Sequence, residues 1–272
     1  MTVRTGRTAA ATLGAVAFAW GVLVERNRFI VRHETLALLE PGSRPITILH
    51  LSDLHLAPGQ RAKVDFVRSL VRYEPDLVVD TGDNLGHIDG NAEVERALEP
   101  FAGIPGVFVH GSNDYFGPVF KNPLRYFVTL EDTRKLRSPD LDTKGLTRYF
   151  TRTLGWLNLN NAAHALEIRG TRIELFGTND AHRGWDRLDL LPGAIEELRE
   201  HVEWSEEATG VLTIGVTHAP YRRVLDDFVN QGAHLVLAGH THGGQVRVPG
   251  LPALVTNCDI PPRQAQGLSR WH

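Results

Sequence analysis

Four short segments rich in histidine and aspartate punctuate this chain: Ser52-Asp53-Leu54-His55, Gly82-Asp83-Asn84, Thr217-His218 and Gly239-His240-Thr241-His242-Gly243-Gly244. Each follows an apolar run, so each is expected at the end of a buried strand, where an open α/β sheet gathers its chemistry. Imidazole and carboxylate together are donors for hard and borderline divalent cations, so the chemistry suggested is that of a metal centre. Asp53 and His55 are two positions apart past a strand end, as are His240 and His242. Side chains at that spacing project to one side of extended chain and can chelate one ion together. Asp83 follows another strand, where its carboxylate could bridge two cations at the roughly 3.5 to 4 Å that two-metal hydrolysis needs. His218 supplies a further imidazole, and Gly239, Gly243 and Gly244 permit close backbone approach to a ligand. Singly, each residue has a plainer reading: an aspartate after a strand often caps a helix, and a lone histidine is usually structural. The set carries the inference.

In this order, Asp-x-His, Gly-Asp, Gly-Ser-Asn-Asp, His and Gly-His-x-His, the segments resemble the calcineurin-like metallophosphoesterases over about residues 46–248. Leu51-Ser52-Asp53-Leu54-His55 and the run GHTHGGQ at residues 239–245, after an amino-terminal hydrophobic segment, are most similar to the membrane-associated bacterial branch of that family. That branch includes enzymes acting on lipid-linked or nucleotide-linked phosphates. The resemblance implies a four-layer α/β/β/α sandwich with a dinuclear metal site at the strand ends. By the same resemblance, Asp53, His55, Asp83 and His242 hold one ion, and Asp83, His218, His240 and an amide from the third motif hold the other. The implied reaction is hydrolysis of a phosphoester or phosphoanhydride by a hydroxide bridging the ions. Asp83, Asn113, Asp114, His218 and His240 are the expected catalytic residues, and Asn84, Asn113, Asp180 and His182 are expected to meet the substrate. The donor set suits Mn, Fe or Zn better than Mg.

The third motif departs from the family pattern, reading Gly111-Ser112-Asn113-Asp114 where Gly-Asn-His-Asp is expected. Ser112 falls on the metal-binding Asn and Asn113 on the catalytic His. Asn113 is the preferred ligand, because an amide oxygen binds a divalent cation better than a neutral hydroxyl does. The usual general acid is then absent, which favours substrates whose leaving group is stable as an anion. His110, His87 and His182 are the substitutes to weigh, and Asp114 is expected to orient a ligand through hydrogen bonds. The rival expectation is a binding or scaffold protein that keeps the fold without turnover.

The elements that must position these residues are legible as alternating strands and helices. Residues 46–51, 77–79, 107–109, 211–216 and 235–238 read as strands, and residues 163–168 and 172–176 as a hairpin about Arg169-Gly170-Thr171. Val64, Val67, Leu70 and Val71 recur at helical spacing until Pro75, residues 92–101 read as a helix, and residues 221–231 show a Val224, Leu225, Phe228, Val229 face. The strand, helix, strand rhythm implies parallel pairing.

The 272-residue chain is long enough for one large domain at residues 46–272, after a segment at 1–28 and a linker at 29–45. Its net charge of −3 gives no basic bias, so nucleic acid is not an expected partner. A single cysteine, Cys258, excludes an intrachain disulfide. The expected partner is a phosphorylated small molecule or lipid-linked substrate, and the sequence sets no oligomeric state. Residues 9–24 form an uncharged apolar run of a length between a signal h-region and a spanning helix. An uncleaved membrane anchor is preferred over a cleaved signal or a soluble helix, with its orientation undetermined by the flanking arginines. Residues 121–157 interrupt the rhythm as a cap-like insertion; residues 121–152 carry eight basic against four acidic residues and read as a solvated surface or a cap attracting anions. Past the last histidine motif no closing strand is evident, although the family usually has one.

Overall fold

Strands β1 (Ile48–Leu51), β2 (Leu77–Asp80), β3 (Gly106–Phe108) and β4 (Leu157–Asn158) line up in that order as a parallel sheet. A second sheet has the order β5 (Ala162–Ile168), β6 (Thr171–Gly177), β7 (Thr209–Thr217) and β8 (Leu235–Ala238), antiparallel between β5 and β6 and parallel from there on. The computed structural model describes residues 20, 28–118, 138–244 and 256–271.

Period-two alternation sorts the strand side chains into layers. Leu77, Val79 and Val107 face Ile173, Leu175, Leu212, Ile214 and Val216 in a dry core between the two sheets. Val78 and Phe108 point the other way, onto α1 (Arg61–Ser69) and α2 (Asn91–Leu98), where Val64, Val67, Val94, Ala97 and Leu98 are buried. On the far face of the second sheet, Phe176 meets Leu191 and Ile195 of α4 (Leu191–His201) and Val224 and Phe228 of α5 (Arg222–Asn230). The result is helices, sheet, sheet, helices: the expected four-layer α/β sandwich. Phe228 is fully buried, with its ring edge-on to Phe176 at 5.0 Å. Phe228→Ala should cost about 3–5 kcal/mol in a denaturant melt.

The hairpin turns on Arg169 and Gly170, both at positive φ, as a two-residue turn matched to strand twist requires. Helix α4 was not foreseen, although Leu191 and Ile195 one turn apart and Pro192 in the first turn signal it. In the described part of the expected cap the basic Lys144, Arg148 and Arg152 are exposed, and one apolar face packs into the protein. Helix α3 (Thr143–Arg148) and the π-helical turn Tyr149–Leu154 bury Leu146, Phe150 and Leu154 beside Trp156 in the first core, and β4 completes the first sheet. Residues 119–137, the rest of that insertion, lie outside the described residues, as do residues 9–24 except Trp20. Among the described residues no helix is long and apolar enough to cross a membrane.

Candidate metal centre

Parallel pairing continues beyond the strand ends and holds the histidine and aspartate loops side by side. Asp53 N donates to Gly82 O at 2.9 Å, His55 N to Asp83 O at 3.0 Å and Leu56 N to Asn84 O at 2.7 Å, zipping the loop after β1 to the loop after β2. Gly239 N donates to His218 O at 2.9 Å, joining the loops after β7 and β8 in the same way. Asp53, His55, Asp83, His240 and His242 all adopt positive φ, a conformation costing about 1–2 kcal/mol per non-glycine residue. Strain of this kind persists where surrounding structure over-determines it, typically at functional sites. Here the zipped loops supply that constraint.

The side chains converge as two clusters, Asp53 with His55 and His242 and Asp53 with Asp83 and His218, and the Asp83 carboxylate lies between His55 and His218. Asp53 Oδ1, His55 Nε2 and His242 Nε2 form the first: the histidine nitrogens are 3.2 Å apart, and His242 Nε2 is 3.2 Å from Asp53 Oδ1. Asp83 presents Oδ2 to His55 Nε2 at 3.7 Å and Oδ1 to His218 Nε2 at 3.4 Å. His218 Nε2 is in turn 3.3 Å from His240 Nδ1. Donor atoms around a cation with bonds of about 2.1 Å lie roughly 3 to 3.5 Å apart, so these separations fit a metal. Donor chemistry agrees. Asp53 Oδ2 accepts from Ser52 Oγ and His240 N, whereas the buried Asp53 Oδ1 is turned to the histidine pair, 3.2 Å from His242 Nε2. His218 Nδ1 donates to Thr81 O at 2.7 Å and His240 Nε2 to Asn257 O at 3.3 Å, which turns the lone pairs of their other nitrogens inward.

Asn113, rather than Ser112, reaches this centre: its backbone N–H donates to Asp83 Oδ1 at 2.7 Å and its amide lies 2.5 Å from Asp83 Oδ2. The Ser112 hydroxyl points away and donates to Asp180. Asp114 is fully buried and accepts the backbone N–H groups of Asp83, Asn84 and Gly111 at 2.9, 2.7 and 3.0 Å, so it shapes the Asp83 loop without facing the cluster. Two residues expected at the substrate are turned inward. Asn84 is buried with its amide on Asp80 Oδ1, and both Asp180 oxygens accept protein hydrogen bonds. Of the three substitute histidines, His87 is exposed beside Asp89, and His110 is buried against Thr147 and Phe150. His182 alone abuts the cluster, its ring 4.5 Å from that of His240 and its Nδ1 2.9 Å from Tyr221 Oη. The anchoring carbonyls of Thr81 and Asn257 were not foreseeable, because a backbone acceptor leaves no mark in a sequence.

Electrostatics follow from this packing. Burial opposes charge on Asp53, yet the His242 hydrogen bond and the His218 charge outweigh it and hold its carboxyl at about 2. Asp83 is likewise held well below the usual range against its burial, chiefly by His218. Burial would lower His218, but Asp83 and then Asp53 hold it well above an ordinary imidazole, and the Asp53 hydrogen bond raises His242. Burial and the neighbouring His218 depress His240 to about 3, and burial depresses His55. Burial also lifts Asp80, beneath the Asp83 loop, to about 7. Without a cation, the protons on His218 and His242 therefore compensate the carboxylates. Their stabilisation is complete below the ordinary value of 6.5 and is lost as pH rises through their raised folded values. Cation uptake must expel these protons, so affinity should rise with pH through that window. Calorimetry in buffers of different ionisation enthalpy should show proton release on Mn(II) binding; buffer-independent heats would refute it.

YpbG, an uncharacterized protein of Bacillus subtilis (strain 168), is 27% identical over 210 residues, covering 76% of this chain, and the chain spans 64% of that relative's length. The crystal structure of phosphopantetheinyl hydrolase (PptH) from Mycobacterium tuberculosis aligns with a TM-score of 0.39 at 15% identity, over 75% of this chain and 86% of that one. The sequence model of the calcineurin-like phosphoesterases matches residues 46–244, from the first strand through the last histidine motif. The chain belongs to the calcineurin-like phosphoesterase family.

Proposed function

We propose that the protein is a metal-dependent phosphohydrolase whose two divalent cations share the Asp83 carboxylate. The observation that supports this best is the orientation of Asp83, one oxygen toward His218 and the other toward His55. Asp53, His55, Asp83 and His242 would hold one cation, and Asp83, His218, His240 and Asn113 the other; Mn, Fe or Zn suits these donors. Such a pair supplies an activated water nucleophile and offsets charge building on phosphorus.

The chain's own residues set the rest. Thr81 and Asn257 carbonyls fix the tautomers of His218 and His240, and Asp114 fixes the Asp83 loop. The Asn113 amide cannot act as a proton donor to an alkoxide in the way an imidazolium does. Phosphoanhydrides and esters of acidic alcohols, whose leaving groups need no proton, are therefore the favoured substrates. Beside the centre, His182 packs on His240 with its Nδ1 on Tyr221 Oη, and it would meet substrate oxygens there. With Mn(II), the protein should hydrolyse bis-p-nitrophenyl phosphate and a phosphoanhydride much faster than a dialkyl phosphate. No Mn(II)-dependent turnover of any of them would leave the rival reading, a fold kept for binding alone.

A lipid-linked or nucleotide-linked substrate and attachment through residues 1–28 are the finer parts of this proposal. They rest on the GHTHGGQ run and the apolar residues 9–24. Deleting residues 1–28 should slow turnover of a vesicle-borne phospholipid substrate while leaving bis-p-nitrophenyl phosphate hydrolysis intact; unchanged turnover of the vesicle-borne substrate would count against attachment.

A further inference from the structure

We propose that Asp180 is the positioning residue for the half of the centre formed by His218, His240 and Asn113, a role that rests on the two-cation reading above. Asp180 lies just past the end of β6 and is fully buried. Its Oδ2 accepts the Ser112 hydroxyl at 2.5 Å, and its Oδ1 accepts the His182 backbone N–H at 2.9 Å. The carbonyl of the same residue accepts Arg183 N at 3.2 Å and Trp185 N at 3.1 Å. One carboxylate thus anchors two turns that come from different sheets. The Ser112–Asp114 turn follows β3 and carries Asn113, which lies on Asp83 through both its backbone and its side chain. The Ala181–Arg183 turn follows β6 and carries His182, whose ring packs on His240.

The chemistry of the link is specific. Burying a carboxylate is costly unless its oxygens are hydrogen-bonded, and both oxygens here are used by the two turns. Ser112 is also one of the two residues, with Asn113, at which the third motif departs from the family pattern. With a hydroxyl in place of an amide it contributes no ligand; it serves to fasten the turn so that the next residue, Asn113, reaches Asp83. Asp180 touches none of the cluster donors by hydrogen bond, so it acts through Asn113 and His240. Partners of this kind typically weaken metal affinity 10–100-fold when removed.

The test is a Mn(II) titration of chelator-stripped full-length protein, followed by calorimetry and low-temperature electron paramagnetic resonance, with thermal melting of the ion-free form as a fold control. Wild type should bind two ions with an exchange-coupled spectrum. Asp180→Ala should keep one ion at wild-type affinity, bind the other roughly 10–100-fold more weakly, and lose the coupled spectrum at limiting Mn(II). Asp180→Asn should restore wild-type behaviour, because its amide N–H can donate to the Ser112 hydroxyl while its oxygen accepts His182 N–H. Ser112→Ala should weaken the same ion by less, and Asp180→Ala combined with Ser112→Ala should be no weaker than Asp180→Ala alone. Wild-type affinity for both ions in Asp180→Ala, or in Ser112→Ala should Asp180→Ala not fold, overturns the proposal. So does equal weakening of both ions. A wild type that binds fewer than two ions would instead bring down the two-cation reading beneath it.

Discussion

Asp83→Asn should reduce Mn(II)-dependent hydrolysis of bis-p-nitrophenyl phosphate by roughly 10³-fold or more, since the proposed pair of cations would contribute several kcal/mol and each 1.4 kcal/mol is a factor of ten. Asparagine is the informative substitution. It can still accept the Asn113 backbone N–H that reaches Asp83 Oδ1, so the loop is expected to stay folded. What it lacks is the negative charge and the second strongly basic oxygen, so neither cluster keeps its shared donor. The loss should appear in kcat together with metal content measured after gel filtration. Full metal content with unchanged kcat would show that Asp83 does not join the two clusters.

Gly111→Ala should be nearly as damaging although it removes no donor. A Cβ at this position would overlap Asp83 Oδ1 and the His218 ring, both buried and neither at the end of a flexible chain. Displacing them by about an ångström is expected to cost about 10²-fold in kcat/KM, the scale of misplacement effects at reacting centres. The accompanying overpacking should destabilise the ion-free fold by about 1–3 kcal/mol. Unchanged kinetics in a folded Gly111→Ala protein would mean that the Asp83–His218 contact is not part of the working site. Gly239 has the same close fit against Ser52 and Asp53, so alanine there should strike the first cluster instead.

These two residues also mark what could and could not be read from the chain. Apolar runs ending in Asp, His or Gly announced β1, β2, β7 and β8, because buried strands are nearly continuous in apolar residues and their ends gather polar ones. The hairpin was equally plain from Arg169-Gly170-Thr171 between alternating stretches, although Thr171 already belongs to β6. Helix α4 escaped notice because its buried face is only Leu191 and Ile195 among charged neighbours. The stretch from Thr143 to Leu154 reads as surface because Lys144, Arg148 and Arg152 interleave with the apolar Leu146, Phe150 and Leu154 that anchor it in the core. Within the site, side-chain types exposed the ligand candidates, and ligand chemistry favoured Asn113 over Ser112. The residue types of Asn84 and Asp180 suit substrate binding, but packing sets one against Asp80 and the other against Ser112 and His182.

The central claim is that one carboxylate joins two cation sites, and anomalous X-ray diffraction from crystals grown with Mn(II) tests it most directly. Two anomalous peaks should lie on either side of the Asp83 carboxylate at the roughly 3.5 to 4 Å spacing of two-metal hydrolases, one against His55 and His242 and the other against His218 and His240. A single peak, or two peaks without Asp83 between them, would contradict the account.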